Sequence, residues 1–294
     1  MDRLAIQQVR SFNRTVAEGI GALDDHFLGR SRPMGESRVL WEIGPNGADV
    51  RELRGRLGLD SGYLSRVLRS LEQQGLAVVR ASTDDARVRR AQLTRKGLKE
   101  RAELERRSDD VAVRILEPLS ETQRTALVAA MTQVEHLIQA SMVRFAIEDP
   151  TTPDARWCLD QYFAELNTRF EGGFDSARSV LPDASELKPP VGAFVIARLR
   201  SGAIACGAVK FYADAPAYLK RMWVAPEARG IGLGRRLLYE LERLARGAGA
   251  SVVRLETNRA LKEAIALYRR SGYVEVEAFN DEPYAHYWFE KRLT

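Results

Sequence analysis

The sequence has few of the residues that build disulfide frameworks and metal sites. Its 294 residues include two cysteines, Cys158 and Cys206, and three histidines. Two cysteines cannot make a disulfide framework, and no group of cysteine and histidine has the spacing of zinc ligands. This usage is typical of a reducing compartment, and we expect no bound metal.

Long hydrophobic runs are also lacking. No apolar stretch approaches the roughly 18–20 residues that a membrane helix needs, and the first residues lack the apolar segment of a signal peptide. We therefore expect a cytoplasmic protein with no membrane partner. Hydrophobic residues still make up 45% of the chain and charged residues 29%, which is enough for packed cores and excludes disorder as the dominant state.

The length predicts two domains, at about 100–200 residues each. The first half of the chain has mostly helical patterns, whereas the second half alternates short apolar strands with helices. The change falls near Pro150 and Pro153, because proline ends a helix. We place the domains at 1–145 and 146–294, and the last residues before the prolines can already form a strand.

The net charge of +5 is unevenly distributed along the chain. Residues 1–147 hold 24 basic and 20 acidic residues, and the segment 80–107 alone holds ten and five. Residues 148–294 hold 21 and 20. The positive excess therefore lies in one stretch of the first half, as expected for a surface that meets nucleic acid.

Residues 49–73 carry the pattern of two short helices joined by a tight turn, and Gly75 ends the second helix. Asp49 can cap the first helix, Gly58 ends it, and Asp60 can cap the second. The second helix has an apolar stripe at helical spacing, formed by Leu64, Val67, Leu68 and Leu71. This pattern predicts a helix-turn-helix whose second helix reads the major groove, or alternatively a helix pair inside an ordinary bundle.

A hairpin is predicted directly after the second helix. Residues 76–80 and 87–93 alternate as strands around a polar turn at 81–86, and Thr94 can cap the next helix. Alone, such a charged hairpin would be a solvated surface feature. Behind a helix-turn-helix it is a wing, whose arginines can neutralise phosphates or enter the minor groove.

These segments resemble the MarR family of winged helix-turn-helix transcription regulators over roughly residues 3–145. The wing signature lies in STDDARVRRAQLTRKG at 82–97, and LGLDSGYLSRVLRSLEQQGLAVV at 57–79 matches the recognition helix and the following strand. The resemblance implies that Arg87 is the wing-tip arginine and that Asp85 orients the tip. The other residues that it implies at bases or phosphates are Ser61, Tyr63, Ser65, Arg66 and Arg89.

Apolar residues at helical spacing predict further helices at 3–28, 95–117 and 121–142. These helices can form a monomeric core. The resemblance implies instead that the helices of residues 3–28 and 95–142 intertwine two chains as a homodimer. A dimer would bind double-stranded DNA at a near-palindromic operator, with half-sites about one turn (~10 bp) apart.

The second half contains a glycine-rich turn, RGIGLG at 229–234, between a predicted strand at 219–224 and a predicted helix at 233–246. Glycines let backbone N–H groups approach an anion closely, and the helix N-terminus adds partial positive charge. The motif predicts a phosphate or pyrophosphate site. It is not a P-loop, because no Lys-Ser/Thr pair follows, and its glycine spacing argues against a dinucleotide fingerprint.

The surrounding pattern resembles the GNAT superfamily of N-acetyltransferases over about residues 145–292. The family signature is Arg or Gln, two residues, Gly, one residue, then Gly or Ala, and Arg229, Gly232 and Gly234 match it. The segment VVRLETNRALKEAIALYRRSGYVEV at 252–276 resembles the family's second half. Together with strands predicted at 191–199, 203–212, 273–278 and 285–291, the resemblance implies an α/β mixed sheet with flanking helices.

The resemblance also implies acetyl-CoA as donor, coenzyme A as product and an amine as acceptor. Tyr268 would be the general acid toward the thiolate, and Glu256 the base, directly or through water. Asn258 would contact pantetheine or a bridging water. The other residues implied at the coenzyme are Met222, Val224, Arg229, Gly230, Gly232, Leu233, Gly234 and Arg235. Alternatively, Tyr268 only packs, Glu256 is solvated at a strand end, and Asn258 caps the helix predicted at 260–270.

Three functions stay open at this point. The first is a bifunctional transcriptional regulator and N-acetyltransferase, which we favour because independent motifs lie in the two halves. The second is a DNA-binding regulator whose second domain only senses acetyl-CoA or an amine. The third is an acetyltransferase whose helical half serves docking or dimerisation alone. Aromatic residues that can line an acceptor site are Tyr162, Phe163, Phe170, Phe174 and Tyr284.

Overall fold

A computed structural model of the chain describes residues 2–22, 27–81, 88–179 and 183–293. Its contacts divide the chain into two compact units, Met1–Thr132 and Gln133–Thr294. The division falls inside the helix Glu121–Met142, whereas the domain boundary predicted at residue 145 follows that helix. The boundary at 145 stays a prediction.

The first unit is mostly helical and carries a small antiparallel sheet. Its described helices are α1 (Arg3–Gly19), α2 (Met34–Ile43), α3 (Val50–Leu57), α4 (Ser61–Gln73), α5 (Arg95–Leu116) and the beginning of α6 (Glu121–Met142). Its strands are β1 (Ala48–Asp49), β2 (Ala77–Ala81) and β3 (Arg89–Leu93), in the order β1-β3-β2.

The predicted helix-turn-helix is confirmed as the pair α3 and α4. Asp49 Oδ1 accepts hydrogen bonds from the backbone N–H groups of Arg51 and Glu52, at 2.6 and 3.0 Å, so it caps α3. Gly58 ends α3 in the left-handed conformation at φ 65°, where a side chain would be strained. Asp60 Oδ1 accepts from the backbone N–H of Tyr63 at 2.8 Å and caps α4.

The wing strands are also confirmed, with slightly different ends. β2 and β3 pair antiparallel, with Val79 opposite Ala91, and the Thr94 hydroxyl accepts from the backbone N–H of Gly97 at 3.0 Å to start α5. Strand β1 extends this sheet and has no counterpart in the sequence reasoning, because two residues show no periodicity. Of the turn predicted at 81–86, Ala81 belongs to β2, and the rest lies outside the described residues.

The first two helices differ from what the sequence predicts. The helix predicted over 3–28 ends at Gly19 as α1, and Gly21 follows in the left-handed conformation at φ 65°. Helix α2 was not predicted, although Val39, Leu40 and Ile43 are buried in the core of this unit. Its apolar stripe is short and follows a glycine- and proline-containing stretch, so its period is hard to detect.

The second unit is a mixed sheet flanked by helices. Its described strands are β4 (Arg144–Ile147), β5 (Gly192–Leu199), β6 (Gly202–Lys210), β7 (Ala217–Val224), β8 (Val252–Thr257), β9 (Val274–Val276) and β10 (Tyr287–Arg292). The sheet has the order β4-β5-β6-β7-β8-β10-β9. Its helices are α7 (Pro153–Arg169), α8 (Leu233–Gly247) and α9 (Lys262–Arg270). The predicted fold class is thereby confirmed.

A gap between two neighbouring strands positions the candidate site. β7 and β8 run parallel, and their registered pairs are Ala217 with Val253 and Tyr218 with Arg254, near the start of both strands. The later residues of β7 therefore line an opening between the strands. The pairing of β6 with β7 shifts register between Cys206 and Ala208, so the ladder between these two strands is irregular at this point.

Helix α8 packs its leucines against the sheet beneath this gap. Leu237 and Leu241 are fully buried, and a Cβ built on Gly207 of β6 would lie 2.8 Å from Leu241 Cδ1. Glycine at 207 therefore lets helix and sheet approach closely. In the described ranges, no helix has both the length and the apolar content needed to span a bilayer.

Candidate functional site

A cavity of about 520 Å³ opens beside the glycine-rich turn of the second unit. It contains nearly all of the residues predicted at the coenzyme. Those that line it are Met222, Val224, Arg229, Gly230, Gly232, Leu233, Gly234 and Arg235. Tyr268, the predicted general acid, also lines this cavity. Its volume lies in the range of about 300–1,000 Å³ that is common for cofactor sites.

The glycine-rich turn has the backbone shape that an anion cradle needs. Gly230 and Gly232 adopt φ values of 82° and 78°, in the left-handed region that favours glycine. Gly232 is the N-terminal cap of α8, so the first backbone N–H groups of the helix face the end that opens on the cavity. A Cβ on Gly234 would lie 3.4 Å from Leu267 Cδ2, which keeps α8 and α9 close.

Two of the arginines that line the cavity beside this turn, Arg229 and Arg169, are held by one carboxylate. Glu165 Oε2 accepts from Arg229 Nη2 at 2.5 Å and from Trp223 Nε1 at 3.0 Å, and Oε1 accepts from Arg169 Nη1 at 3.1 Å. Burial raises the pKa of Glu165, but the hydrogen bonds and charges of Arg229 and Arg169 outweigh it and lower the pKa overall. The ionised Glu165 therefore orients two cations at a site suited to phosphates.

Tyr268 lies on α9 where two cavities meet. Its side chain is buried and lines both the larger cavity and a smaller one of about 90 Å³. Burial, and then the charge of Glu256, raise the pKa of Tyr268 above its usual value of 10. The phenol is therefore protonated at neutral pH, as a general acid must be.

The smaller cavity is aromatic on one side and charged on the other. Of the aromatic residues considered for an acceptor site, Tyr162, Phe170, Phe174 and Tyr284 line it. Phe163 is not among its lining residues and stacks on Phe174, with ring centroids 5.7 Å apart. The charged side chains that line it are Lys220, Arg221, Glu256 and Glu282.

Glu256 is held in an ion pair rather than solvated. Its Oε1 accepts from Lys220 Nζ at 2.5 Å, and the Tyr218 hydroxyl donates to Oε2. The side chains of Lys220 and Glu256 are only 10% and 8% exposed, which excludes the alternative of a solvated strand-end carboxylate. The base assignment of Glu256 stays a prediction.

Asn258 has two backbone partners beside the smaller cavity. Its Oδ1 accepts from the Ala260 N–H at 2.9 Å, and its Nδ2 donates to the Tyr284 carbonyl at 2.7 Å. Asn258 lines the smaller cavity, whereas the other residues predicted at the coenzyme line the larger one. These bonds fit the alternative in which Asn258 organises the turn before α9, and its contact with the coenzyme stays a prediction.

In the first unit, the outer face of α4 carries the predicted DNA contacts. Ser61, Ser65 and Arg66 are exposed, whereas Tyr63 is half-buried. The Tyr63 hydroxyl lies against Gly35, where a Cβ would be 2.2 Å away, and the Arg66 guanidinium lies 6.0 Å from the Tyr63 ring. Tyr63 thus packs at the base of α4 and supports Arg66.

The predicted wing contacts are only partly within the described residues. Arg89 is exposed at the start of β3. Its neighbour Arg90 donates from Nη2 to the Asn46 carbonyl at 2.8 Å, which ties β3 to the turn before β1. Asp85 and Arg87 lie outside the described residues, so their roles stay predictions.

The sequence reasoning missed several residues that shape the two cavities. Glu165 stands in α7, 64 positions before Arg229, and no local motif marks it. Tyr218, Lys220 and Arg221 precede the motif in β7, where alternating polar residues are ordinary for a half-exposed strand. Only the tertiary contacts bring these side chains to the site.

Family models match both halves of the chain. A model of the acetyltransferase (GNAT) family matches residues 159–273, and a model of the MarR family matches residues 28–88. An IAA acetyltransferase of Azospirillum brasilense is 36% identical over 118 residues, which make up 40% of this chain and 72% of that relative.

Solved structures resemble each half separately. A protein from Klebsiella pneumoniae assigned as an acyl-CoA N-acyltransferase is 29% identical and covers 52% of this chain and 99% of its own, with a TM-score of 0.45. A MarR-family transcriptional regulator from Rhodococcus is 18% identical and covers 46% and 97%, with a TM-score of 0.37.

The fold and the family matches together distinguish two kinds of domain in one chain. The first contains a winged helix-turn-helix that the MarR family model matches over residues 28–88, and the second is an acetyltransferase domain. With 36% identity over 72% of the acetyltransferase relative, the chain belongs to the GNAT acetyltransferase family.

Proposed function

We propose that the protein is a bifunctional transcriptional regulator and N-acetyltransferase that uses acetyl-CoA as donor and an amine as acceptor. The observation that carries the enzymatic half is the larger cavity. Eight of the nine residues predicted at the coenzyme line it together with Tyr268. A solved acetyltransferase among the structural neighbours is a complex with acetyl coenzyme A.

The residues of the larger cavity fit a coenzyme with a diphosphate and an extended arm. The N–H groups at Gly232, Leu233 and Gly234 hold the pyrophosphate at the start of α8, with Arg235 beside them. Arg229 adds a guanidinium that Glu165 orients. In the gap between β7 and β8, the backbone of Met222 and Val224 pairs with the pantetheine arm, because parallel pairing is registered only at residues 217 and 218 of β7.

The two candidate catalytic residues divide the proton transfers of acetyl transfer. When bound, acetyl-CoA supplies an acetyl group activated as a thioester. Glu256 takes a proton from the acceptor nitrogen, directly or through water, so that its lone pair can attack the carbonyl carbon. Tyr268 Oη gives its proton to the sulfur as the carbon–sulfur bond breaks. Lys220 pairs with Glu256 and so holds the carboxylate of the base in place.

Thiol release tests the enzymatic half. The full chain is incubated with acetyl-CoA and a panel of small primary amines and peptides, and free thiol is measured. We expect thiol release that depends on the amine and yields the acetylated acceptor. Coenzyme binding without turnover for any amine would favour the alternative of a sensor domain, and absence of binding would remove the enzymatic proposal entirely.

DNA binding as a homodimer is the other half of the proposal. The exposed face of α4 and the exposed Arg89 support it, as does the apolar surface of α1 and α6. All described residues of α1 are at least partly exposed, and the large apolar side chains on its surface include Leu4, Val9, Phe12 and Val16. A second chain that covers these side chains would remove them from water.

Replacing Arg66 with alanine should weaken operator binding by about 5- to 100-fold and lower the salt slope by about one if it contacts a phosphate. Fluorescence anisotropy on the DNA upstream of the protein's own coding region measures both. Arg243→Ala is the matched control, because this exposed arginine of α8 pairs with Glu240 in the other unit. If Arg66→Ala and Arg243→Ala change the affinity for this DNA equally, or if the wild type does not bind it, the result would support a helical half that only docks or dimerises.

A further inference from the structure

A series of three hydrogen bonds links strand β10 to Glu256, the candidate base. Trp288 Nε1 donates to Asn280 Oδ1 at 2.7 Å, and Asn280 Nδ2 donates to the Tyr218 hydroxyl at 2.5 Å. That hydroxyl donates to Glu256 Oε2. Glu256 lines the smaller cavity, whereas Trp288, Asn280 and Tyr218 line neither cavity, so the series reaches the carboxylate from outside both of them.

The strand register places these side chains on one face of the sheet. Trp288 lies directly opposite Glu256 in the antiparallel pair of β10 and β8. Tyr218 is registered with Arg254 in the parallel pair of β7 and β8. Lys220 and Glu256 each follow two residues later, where a strand returns to the same face. The arrangement of Tyr218, Lys220 and Trp288 around Glu256 therefore follows from how the strands pair.

The indole of Trp288 sets the direction of every hydrogen bond in the series. An indole N–H can only donate, so it faces the amide oxygen of Asn280 and leaves the amide NH2 group toward Tyr218. The NH2 group can also only donate, so the Tyr218 oxygen accepts from it and directs its own proton to Glu256. Tyr218 is thereby held as a donor to the carboxylate.

The Tyr218 ring is itself held by its neighbours. It packs edge-on against Phe279, with ring centroids 5.7 Å apart, and Lys220 Nζ lies 4.5 Å from its centroid. Burial, and then the charge of Glu256, raise the pKa of Tyr218 above its usual value of 10. The hydroxyl therefore keeps its proton, and with it the ability to donate, at neutral pH.

We infer that Tyr218 is a positioning residue for the base of acetyl transfer, an inference that rests on the proposed role of Glu256. Tyr218 at Oε2 and Lys220 at Oε1 fix the plane of the carboxylate. A carboxylate has about four lone-pair sites, so each oxygen can still accept from the acceptor nitrogen or from a bridging water. A hydrogen bond to a carboxylate also favours its ionised form, which is the form that can take a proton.

Other charged and titratable groups surround Glu256 and share in setting its ionisation. They come from the elements packed around it, and none of them is altered in a variant that loses only the Tyr218 hydroxyl. They are Lys220 and Arg221 of β7, Tyr162 of α7, Tyr268 of α9, Glu282 before β10, and the pair of Arg254 on β8 and Glu290 on β10. A changed pH dependence in that variant therefore reports the lost hydrogen bond.

The variant Tyr218→Phe tests this role through the pH dependence of turnover. Thiol release gives kcat/KM from about pH 5 to about pH 9, with the fastest acceptor among 2-phenylethylamine, spermidine and a lysine peptide. The ionisation of the amine cancels in the ratio of wild type to variant. We expect a ratio of about 3 to 10 at high pH, because the carboxylate is less well oriented. The ratio should rise by a further factor of about ten as the pH falls, because a carboxylate that loses a hydrogen bond binds its proton about one pH unit higher.

Tyr212→Phe is the matched control. Tyr212 also lies beside a lysine, with Lys210 Nζ 5.5 Å from its ring centroid, but it is exposed and lines neither cavity. This variant should keep both kcat/KM and its pH dependence. Trp288→Phe removes only the N–H that directs the series, so its ratio should change with pH in the same direction as that of Tyr218→Phe, by a smaller factor.

The outcomes separate this inference from the proposed function. A hydroxyl that only packs would lower kcat/KM equally at every pH, so a ratio that does not rise as the pH falls would overturn the positioning role and leave acetyl transfer intact. If no acceptor is turned over, the inference fails, and an acetyl-CoA titration of the same samples shows whether the coenzyme site fails with it. That titration also verifies that each variant is folded.

Discussion

Replacing Tyr268 with phenylalanine is expected to lower kcat by about 100- to 1,000-fold and to leave the Kd for acetyl-CoA within about twofold. The change removes one hydroxyl from a buried ring that packs 5.8 Å from Tyr273 and 5.9 Å from Phe289. The rings of Tyr273 and Phe289 keep their packing against the new phenylalanine. A fall in kcat therefore reports the loss of proton donation to the sulfur. Thiol release and calorimetric titration measure the two quantities.

The matched control for this change is Tyr239→Phe, because Tyr239 is exposed on α8 and lines neither cavity. That variant should keep full activity. A Tyr268→Phe enzyme with unchanged kcat would show that the phenol only packs. Another group would then have to donate the proton to the sulfur.

Replacing Gly232 with valine is expected to weaken acetyl-CoA binding by at least about 30-fold. A β-branched residue is strongly strained at φ 78°, so the turn must change shape, and the N–H groups at the start of α8 then point away from the pyrophosphate. Calorimetric titration with acetyl-CoA measures the loss, and circular dichroism verifies that the helix content is kept.

Gly247→Val is the control for this substitution. Gly247 ends the same helix, its φ lies outside the left-handed region, and a Cβ there meets nothing within 4 Å. The control variant should bind acetyl-CoA as the wild type does. Equal affinity of both valine variants would mean that the glycine-rich turn does not hold the coenzyme.

Local chemistry made much of the fold predictable. Capping by Asp49, Asp60 and Thr94 acts within three residues, so the starts of α3, α4 and α5 could be located from the sequence. The glycine-rich turn was predictable for the same reason, because its left-handed residues must be glycine.

Features that depend on distant contacts were not predictable. Glu165 meets Arg229 across 64 positions, and Lys220 meets Glu256 across 36, so no local pattern reveals either pair. Arg221 adopts the left-handed conformation at φ 56° where β6 and β7 shift register, and no local pattern reveals that shift. The first helix was predicted too long because its apolar spacing continues past Gly19, where glycine favours an end.

The most direct test of the account is a crystal structure of the full chain with coenzyme A. We expect the pyrophosphate on the backbone N–H groups at Gly232–Gly234, and the sulfur within about 3.5 Å of Tyr268 Oη. A coenzyme seated outside the larger cavity, or with its sulfur far from Tyr268, would contradict the assignment of this cavity as the acetyl transfer site.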